Sequence, residues 1–319
     1  MKILVFEVSD NERGWLDEAV RRYGVTLVRH EEALKPETLS LLEPADAVCT
    51  VGWSVMNEEV FQAMAALDIH VYAARCIGLD HVDLAAAERL GITVINGGYG
   101  PEGVAEYTIM LMLMLLRNYK QALWRRQVND FSLDGLMGRE LHEMTIGVVG
   151  AGRIGRRVIH LLTSFGCRIL YTDVQPSEEA SREASYVDLE TLYRESDIIT
   201  LHVPLLESTR HMINRDSLAR MKDGVVIINC ARGALINVDD VTEAVESGKV
   251  GGLGLDVFEK EEGIYHCDRK TDILSNKDMV YLQQLKNVVM THHIAFYTES
   301  AVRDMVLGTL EKVIGVLNQ

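Results

Sequence analysis

The sequence predicts the α/β class, built as two doubly wound parallel-sheet domains, on three observations. Short apolar, β-branched runs alternate with amphipathic stretches from the first residues onward, the pattern of strands joined by crossover helices. A dense turn cluster, Asn96-Gly97-Gly98-Tyr99-Gly100-Pro101, interrupts that alternation and a fresh series follows it. The new series opens on Thr145-Ile146-Gly147-Val148-Val149-Gly150-Ala151-Gly152-Arg153-Ile154-Gly155, a doubly buried strand running into G-x-G-x-x-G.

Taken in order, Ile3–Val8, Thr26–Val28, Ala47–Thr50, His70–Ala73 and Thr93–Ile95 read as strands, with Trp15–Arg22 and Glu58–Ala66 as helices between them. The turn cluster reads as a connecting loop or an interdomain hinge, and the hinge is favoured because a new β-α-β series lies beyond it. Ile109–Leu116 is apolar on every side and bounded by Glu106 and Arg117, which marks a buried helix too short to span a membrane.

After the glycines, Ile154, Val158, Ile159, Leu161 and Leu162 recur at helical spacing. Gly150 permits a tight turn, Gly152 a close approach to a pyrophosphate, and Gly155 close packing of helix on strand. The next strand, Cys167–Tyr171, ends at Asp173, where a carboxylate accepts from both ribose hydroxyls of an adenosine and repels a 2′-phosphate. This predicts NAD rather than NADP as cofactor. Ile198–Leu201, Val225–Asn229, Gly254–Val257 and Val288–Thr291 complete a set of six parallel strands, and Thr298–Leu317 reads as a closing helix with one apolar stripe.

Composition narrows the function. A length of 319 residues is comfortable for two domains, and 48% hydrophobic with 25% charged residues is an ordinary globular balance. A net charge of −15 argues against nucleic acid and anionic membrane as partners. An anionic small substrate must therefore meet local positive charge in a cleft. Cys49, Cys76, Cys167, Cys230 and Cys267 form no C-x-x-C pair and read as reduced cytoplasmic thiols, with no metal site implied. The N-terminal apolar run is too short for a signal peptide.

Ligands of open α/β sheets sit beyond the carboxyl ends of the strands. There the sequence places His202-Val203-Pro204, Cys230-Ala231-Arg232-Gly233, Asp256-Val257-Phe258-Glu259-Lys260-Glu261 and His292-His293. Reduction of a 2-oxo acid needs such a set. A guanidinium binds the substrate carboxylate in a bidentate fork, an imidazole donates a proton to the carbonyl oxygen, and a carboxylate orients the imidazolium. The residues alone leave His292 and His293, and Glu259 and Glu261, as rivals for the last two roles.

The chain resembles the D-isomer-specific 2-hydroxyacid dehydrogenases over nearly its whole length. The resemblance rests on Arg75-Cys76-Ile77-Gly78-Leu79-Asp80-His81-Val82-Asp83, the glycine fingerprint with Asp173, His202-Val203-Pro204 with Thr209, Asn229-Cys230-Ala231-Arg232-Gly233, Gly254-Leu255-Asp256-Val257-Phe258-Glu259, and His293-Ile294-Ala295. The acidic insertion 261–286 and the ending Ile294-Ala295-Phe296-Tyr297-Thr298-Glu299 are similar to the D-lactate dehydrogenase branch, including the enzymes of vancomycin resistance.

The resemblance implies a Rossmann NAD-binding domain, residues 100–294, inserted into a flavodoxin-like substrate domain, residues 1–99 and 295–319. It implies Arg232, Glu261 and His293 as the catalytic set. Cofactor contacts would come from Gly150, Gly152, Arg153, Ile154, Gly155, Asp173, His202, Val203, Pro204, Thr209, Cys230, Ala231 and Asp256. Substrate contacts would come from Ile77, Gly78, Trp53, Tyr99 and Phe296 as well as Arg232. One departure stands out, because His292 occupies the position where most members carry Pro.

The activity implied is NADH-dependent reduction of a 2-oxo acid to the D-(R)-2-hydroxy acid, with pyruvate first. Phenylpyruvate, 2-oxoisocaproate, glyoxylate and hydroxypyruvate are alternatives within the class. A corepressor-like protein that senses NAD is the alternative outside it. A homodimer through the cofactor domains, using the apolar helix Val104–Leu116, is expected from the same resemblance.

Overall fold

The computed structural model describes residues 1–318, which divide into two compact units, residues 1–100 with 297–318 and residues 101–296. The first unit starts with β1 (Lys2–Val5), α1 (Asp10–Tyr23), β2 (Thr26–Arg29), β3 (Ala47–Thr50), α2 (Glu58–Ala66), β4 (Val71–Ala74), α3 (Leu84–Arg89) and β5 (Thr93–Asn96). All five strands are parallel, in the order β2-β1-β3-β4-β5. The order reverses between β1 and β3, the crevice where doubly wound sheets hold ligands. Ser9 and Glu12 close a capping box at the start of α1, and Gly24 ends the helix in the left-handed region.

The strand expected to run to Val8 stops at Val5. Glu7 has φ +58°, outside the extended region, and its carboxylate accepts from the amides of Val51 (2.7 Å) and Trp53 (2.6 Å) and the hydroxyl of Ser54 (2.8 Å). That carboxylate turns the chain away from the sheet to organise its neighbour loop.

The second unit contains α4 (Glu102–Leu116), α5 (Tyr119–Gln127), β6 (Thr145–Val149), α6 (Arg153–Thr163), β7 (Arg168–Thr172), β8 (Ser185–Tyr186), α7 (Leu189–Glu195), β9 (Ile198–Leu201), α8 (Arg215–Arg220), β10 (Val225–Asn229), α9 (Val238–Glu246), β11 (Val250–Leu255), α10 (Lys277–Leu282) and β12 (Val288–Met290). Its seven parallel strands run β12-β11-β10-β9-β6-β7-β8. The sequence reading counts six. The additional strand is β8, two exposed residues beside β7 that carry no periodic signal. β11 begins earlier than expected, at Val250, because Gly251, Gly252 and Gly254 mask its strand character. Those glycines have a packing reason: a Cβ on Gly254 would lie 2.8 Å from Ile228 and 3.2 Å from Leu115 of α4.

Helix α4 is covered by its own unit, packing on α6, β10, β11 and β12 with Val104, Ala105, Leu111, Met112 and Leu116 buried. That face is the buried helix the sequence predicts, while Met110 on the same helix stays 38% exposed. The last helix, α11 (Glu299–Leu317), returns to the first unit, where Val306, Leu310 and Val313 are buried against α1, β4 and β5. Gly97 allows that approach, since a Cβ there would lie 2.5 Å from Thr309 Oγ1.

Candidate active site

The glycine turn between β6 and α6 separates into two kinds of position. Gly150 lies at φ +95° and its Cβ would meet the His202 carbonyl oxygen at 2.6 Å, while a Cβ on Gly155 would meet the Gly150 carbonyl at 1.9 Å. Both are required by packing. Gly152 is different: a Cβ there meets nothing within 4 Å, and no side chain caps the helix it begins. The open space lies where the first amides of an eleven-residue helix lack intrahelical partners, which fits a pyrophosphate. Arg153 and Ile154 form the first turn of that helix, Arg153 exposed and Ile154 half-buried.

At the end of β7 the Asp173 carboxylate accepts from Ala151 N (2.7 Å) and Val174 N (2.6 Å). The acid is thus held beside the glycine turn, in the place a ribose would occupy. The donor set and the open glycine fit a dinucleotide.

After β9, His202 Nε2 sits 2.9 Å from Thr200 Oγ1, and burial pushes the imidazole pKa down to about 4. Neutral His202 suits a place beside a nicotinamide ring better than a proton-transfer role. Val203 and Pro204 follow it, and Thr209 Oγ1 closes their loop by donating to the Pro204 carbonyl (2.7 Å) and accepting from Leu206 N (2.8 Å).

After β10, the buried Asn229 side chain accepts from Ala231 N (3.0 Å) and donates to the Arg232 carbonyl (2.8 Å). This bracket fixes the turn that presents Arg232, whose guanidinium also donates to the Ala231 carbonyl at 2.7 Å. Gly233 brings that turn against the chain after β11, because a Cβ there would lie 2.1 Å from the Phe258 carbonyl carbon. Cys230 contributes no reactive thiol: burial, then the Asp256 charge, pushes its pKa up.

Asp256 is fully buried, and its carboxylate accepts from Thr291 Oγ1 (2.6 Å), Ile294 N (3.0 Å) and Ala295 N (2.8 Å), while its carbonyl accepts from His293 N (2.6 Å). Asp256, which the sequence reading assigns to the cofactor, also organises the loop after β12. These bonds also draw Ala295 into the second unit, whose boundary falls after Phe296.

The loop so held carries His293 at φ +58°, with its Nδ1 2.5 Å from Glu261 Oε1. Glu261 Oε2 in turn accepts from Phe258 N at 2.6 Å. The rivals are occupied differently. Glu259 pairs with Arg210 (3.2 Å) and His211 (3.0 Å), and His292 is exposed. Arg232, Glu261 and His293 follow β10, β11 and β12, adjacent strands roughly 4.8 Å apart, so all three arise at one sheet edge. Phe296 stands edge-on to His293 with ring centroids 6.2 Å apart.

Four residues singled out for substrate contact belong to the first unit. Ile77 and Trp53 are exposed and Gly78 and Tyr99 half-buried. Cys76 Sγ ties two of their loops together by reaching the carbonyls of Val51 (3.0 Å) and Gly78 (3.1 Å), and Asn96 Nδ2 donates to the Ile77 carbonyl at 3.0 Å.

Two residues at this edge escaped the sequence reading. Burial raises the phenol pKa of Tyr107 on α4, with Thr291 acting in the opposite direction. His266 Nε2 lies 2.9 Å from the His293 carbonyl. Neither has a local signature: Tyr107 lies between Glu106 and Thr108 just before the apolar run of α4, and His266 in an irregular insertion.

Comparison with known proteins gives a consistent picture. Residues 109–295 match the family described as D-isomer specific 2-hydroxyacid dehydrogenase, NAD binding domain. The chain is 41% identical to a D-specific alpha-keto acid dehydrogenase of Enterococcus faecalis, over 98% of this chain and 95% of the relative. It is 38% identical to an aromatic 2-oxoacid reductase of Clostridium sporogenes, over 97% and 94% respectively. Among solved structures, a D-lactate dehydrogenase from Treponema pallidum superposes with a TM-score of 0.90 at 29% identity, covering 100% of this chain and 97% of that one. A D-2-hydroxyisocaproate dehydrogenase gives 0.90 at 32% identity, covering 99% and 97%.

Proposed function

Because the chain belongs to the D-isomer-specific 2-hydroxyacid dehydrogenases and carries their NAD-binding domain, we propose that it reduces a 2-oxo acid to the D-(R)-2-hydroxy acid, with pyruvate to D-lactate as the leading reaction. One observation carries this reading: the His293–Glu261 pair, 2.5 Å apart, stands at the same strand ends as Arg232 and the glycine turn.

NADH, when bound at the glycine turn, supplies the hydride. Gly150, Gly152, Arg153, Ile154 and Gly155 hold its pyrophosphate, Asp173 its adenosine ribose, and the segments His202–Thr209 and Cys230–Ala231 flank the nicotinamide end. Arg232 binds the substrate carboxylate through its planar fork and polarises the carbonyl. His293 presents Nδ1 to Glu261, so its proton leaves from Nε2 to the 2-oxo oxygen. Glu261 keeps the ring oriented and stabilises the imidazolium before transfer. The first unit carries Ile77, Gly78, Trp53 and Tyr99, the residues that the family resemblance assigns to the substrate, and Phe296 lies beside His293 in the second.

The test is loss of NADH absorbance with pyruvate, phenylpyruvate, 2-oxoisocaproate, glyoxylate and hydroxypyruvate. Pyruvate is expected to give the highest kcat/KM. Preference for phenylpyruvate would favour the bulkier-substrate reading, which the aromatic 2-oxoacid reductase relative supports. No oxidation with any of the panel would favour the NAD-sensing, corepressor-like reading. His293→Ala is expected to lower kcat by at least ~1,000-fold with NADH affinity retained, and His292→Ala to change it less than about threefold. The reverse pattern would move the acid to His292.

A homodimer is supported by apolar side chains on α5 and the segment after it: Trp124 and Phe131 are each 64% exposed, Leu133 85% and Met137 92%. A cytoplasmic location is supported by the free cysteines, and among the described residues no helix is long and apolar enough to cross a membrane.

A further inference from the structure

The geometry points to His266 as a positioning residue for the proton donor, acting on the main chain of His293 while Glu261 acts on its ring. The inference rests on the reduction proposed above and adds a residue to it.

His293 is a non-glycine residue at φ +58°, a conformation that costs about 1–2 kcal/mol unless its surroundings hold it there. Three of its attachments are already described. Its amide donates to the Asp256 carbonyl, its ring meets Glu261, and the two amides that follow it are bound by the Asp256 carboxylate. The remaining main-chain group is its carbonyl, which accepts from His266 Nε2 at 2.9 Å. A carbonyl oxygen only accepts, so Nε2 of His266 carries the proton.

Glu261 and His266 come from one compact turn. The amides of Ile264 and Tyr265 both donate to the Glu261 carbonyl at 3.0 Å, and Tyr265 is buried at 7% exposure beneath it. The turn therefore grips His293 from both ends, ring at one end and carbonyl at the other. The His266 ring also lies 6.1 Å from the His293 ring and 6.4 Å from that of Phe296, which fixes the plane from which Nε2 donates. Loss of the donor frees rotation about the His293 ψ angle and lets the imidazole drift from the position in which Nε2 reaches the substrate oxygen.

Two variants separate donor from ring. His266→Phe keeps an aromatic ring and removes the N–H, whereas His266→Gln keeps an amide donor at nearly the Nε2 position and removes the ring. With the NADH-saturated enzyme, His266→Phe is expected to lower kcat by about 10- to 100-fold with KM for NADH within twofold, and His266→Gln to restore at least a third of wild-type kcat. An activity-independent readout is the His293 imidazole resonance, assigned by its loss in His293→Asn. At fixed pH it is expected to shift in His266→Phe and to return in His266→Gln, whether or not any 2-oxo acid proves to be a substrate. Wild-type kcat in His266→Phe, equal impairment of both variants, or an unmoved His293 resonance would each overturn the inference. Absence of turnover in the wild type would instead count against the proposed reduction alone.

Discussion

The two sheets finish their strands in opposite ways. In the second unit the carboxyl ends are kept clear by missing side chains: Gly150, Gly155 and Gly233 bring backbone against backbone, and Gly152 opens onto free space. In the first unit the same edge is filled by charge. Arg75 is completely buried and donates to both oxygens of Glu12 (2.9 and 3.1 Å) and to the Phe6 carbonyl (2.9 Å), with a longer bond to the Cys49 carbonyl (3.3 Å). Burial alone would lower the pKa of that guanidinium, and the Glu12 carboxylate more than reverses this, leaving it raised. One side chain thereby joins the ends of β1, β3 and β4 to the start of α1. The contrast teaches that an edge meant to receive a large anionic ligand is built from exposed amides, while an edge meant to hold loops in register is built from its own ion pair.

The contrast can be broken most sharply at Arg75. Arg75→Met strands Glu12 as a buried unpaired carboxylate and is expected to cost about 3–5 kcal/mol, read as lost hydrogen-exchange protection in β1, β3 and β4. Protection in β6, β9 and β10 is expected to stay. Adding Glu12→Leu should recover part of the loss, because the stranded charge is then gone. Equal losses in both sheets would show that the pair does not act on the first unit alone.

Glycine substitutions sharpen the other half. Gly155→Ala places a methyl 1.9 Å from the Gly150 carbonyl, so the turn must shift. It is expected to cost about 1–3 kcal/mol of stability and to weaken NADH, measured by thermal melts and fluorescence titration. Gly152→Ala meets open space, so its melting should be unchanged while NADH binding falls by about 10-fold or more. Equal melting losses in the two variants would refute the division into packing and ligand-facing glycines.

The smallest effect concerns His202. Its pKa is held at about 4 when folded, against roughly 6.5 unfolded, so below pH 6.5 the unfolded chain takes up a proton that the folded one does not. Stability should therefore decline as pH falls from about 6.5 to 4, with no contribution above that window. Relative to His202→Asn, the wild type is expected to lose up to about 2 kcal/mol between about pH 7.5 and about pH 4, partial exposure setting the limit. Parallel pH profiles of the two proteins would place the acid sensitivity elsewhere.

Local pattern made the glycine turn, Asp173 and most strands legible, since each depends on residues adjacent in sequence or at a fixed period. It also narrowed the acid to two histidines and its partner to two glutamates. Tertiary structure gives the two glutamates different partners: Glu259 is turned toward Arg210 and His211, and Glu261 toward His293. Family register had favoured Glu261 and His293, but register cannot say what holds them.

Alternation of short apolar runs with amphipathic stretches by itself determined that this chain folds as parallel sheets wrapped by helices, because strands buried on two faces are apolar at every position. It did not determine β8, whose two exposed residues depend on a neighbour strand for their hydrogen bonds. Nor did it determine what Asp256 binds, since Thr291, Ile294 and Ala295 reach it only once β11 and β12 are side by side. The backbone of His293 is held by groups up to 37 residues distant in sequence along the chain, from Asp256 to His266, and no local periodicity encodes hydrogen bonds that form only after the sheet has assembled.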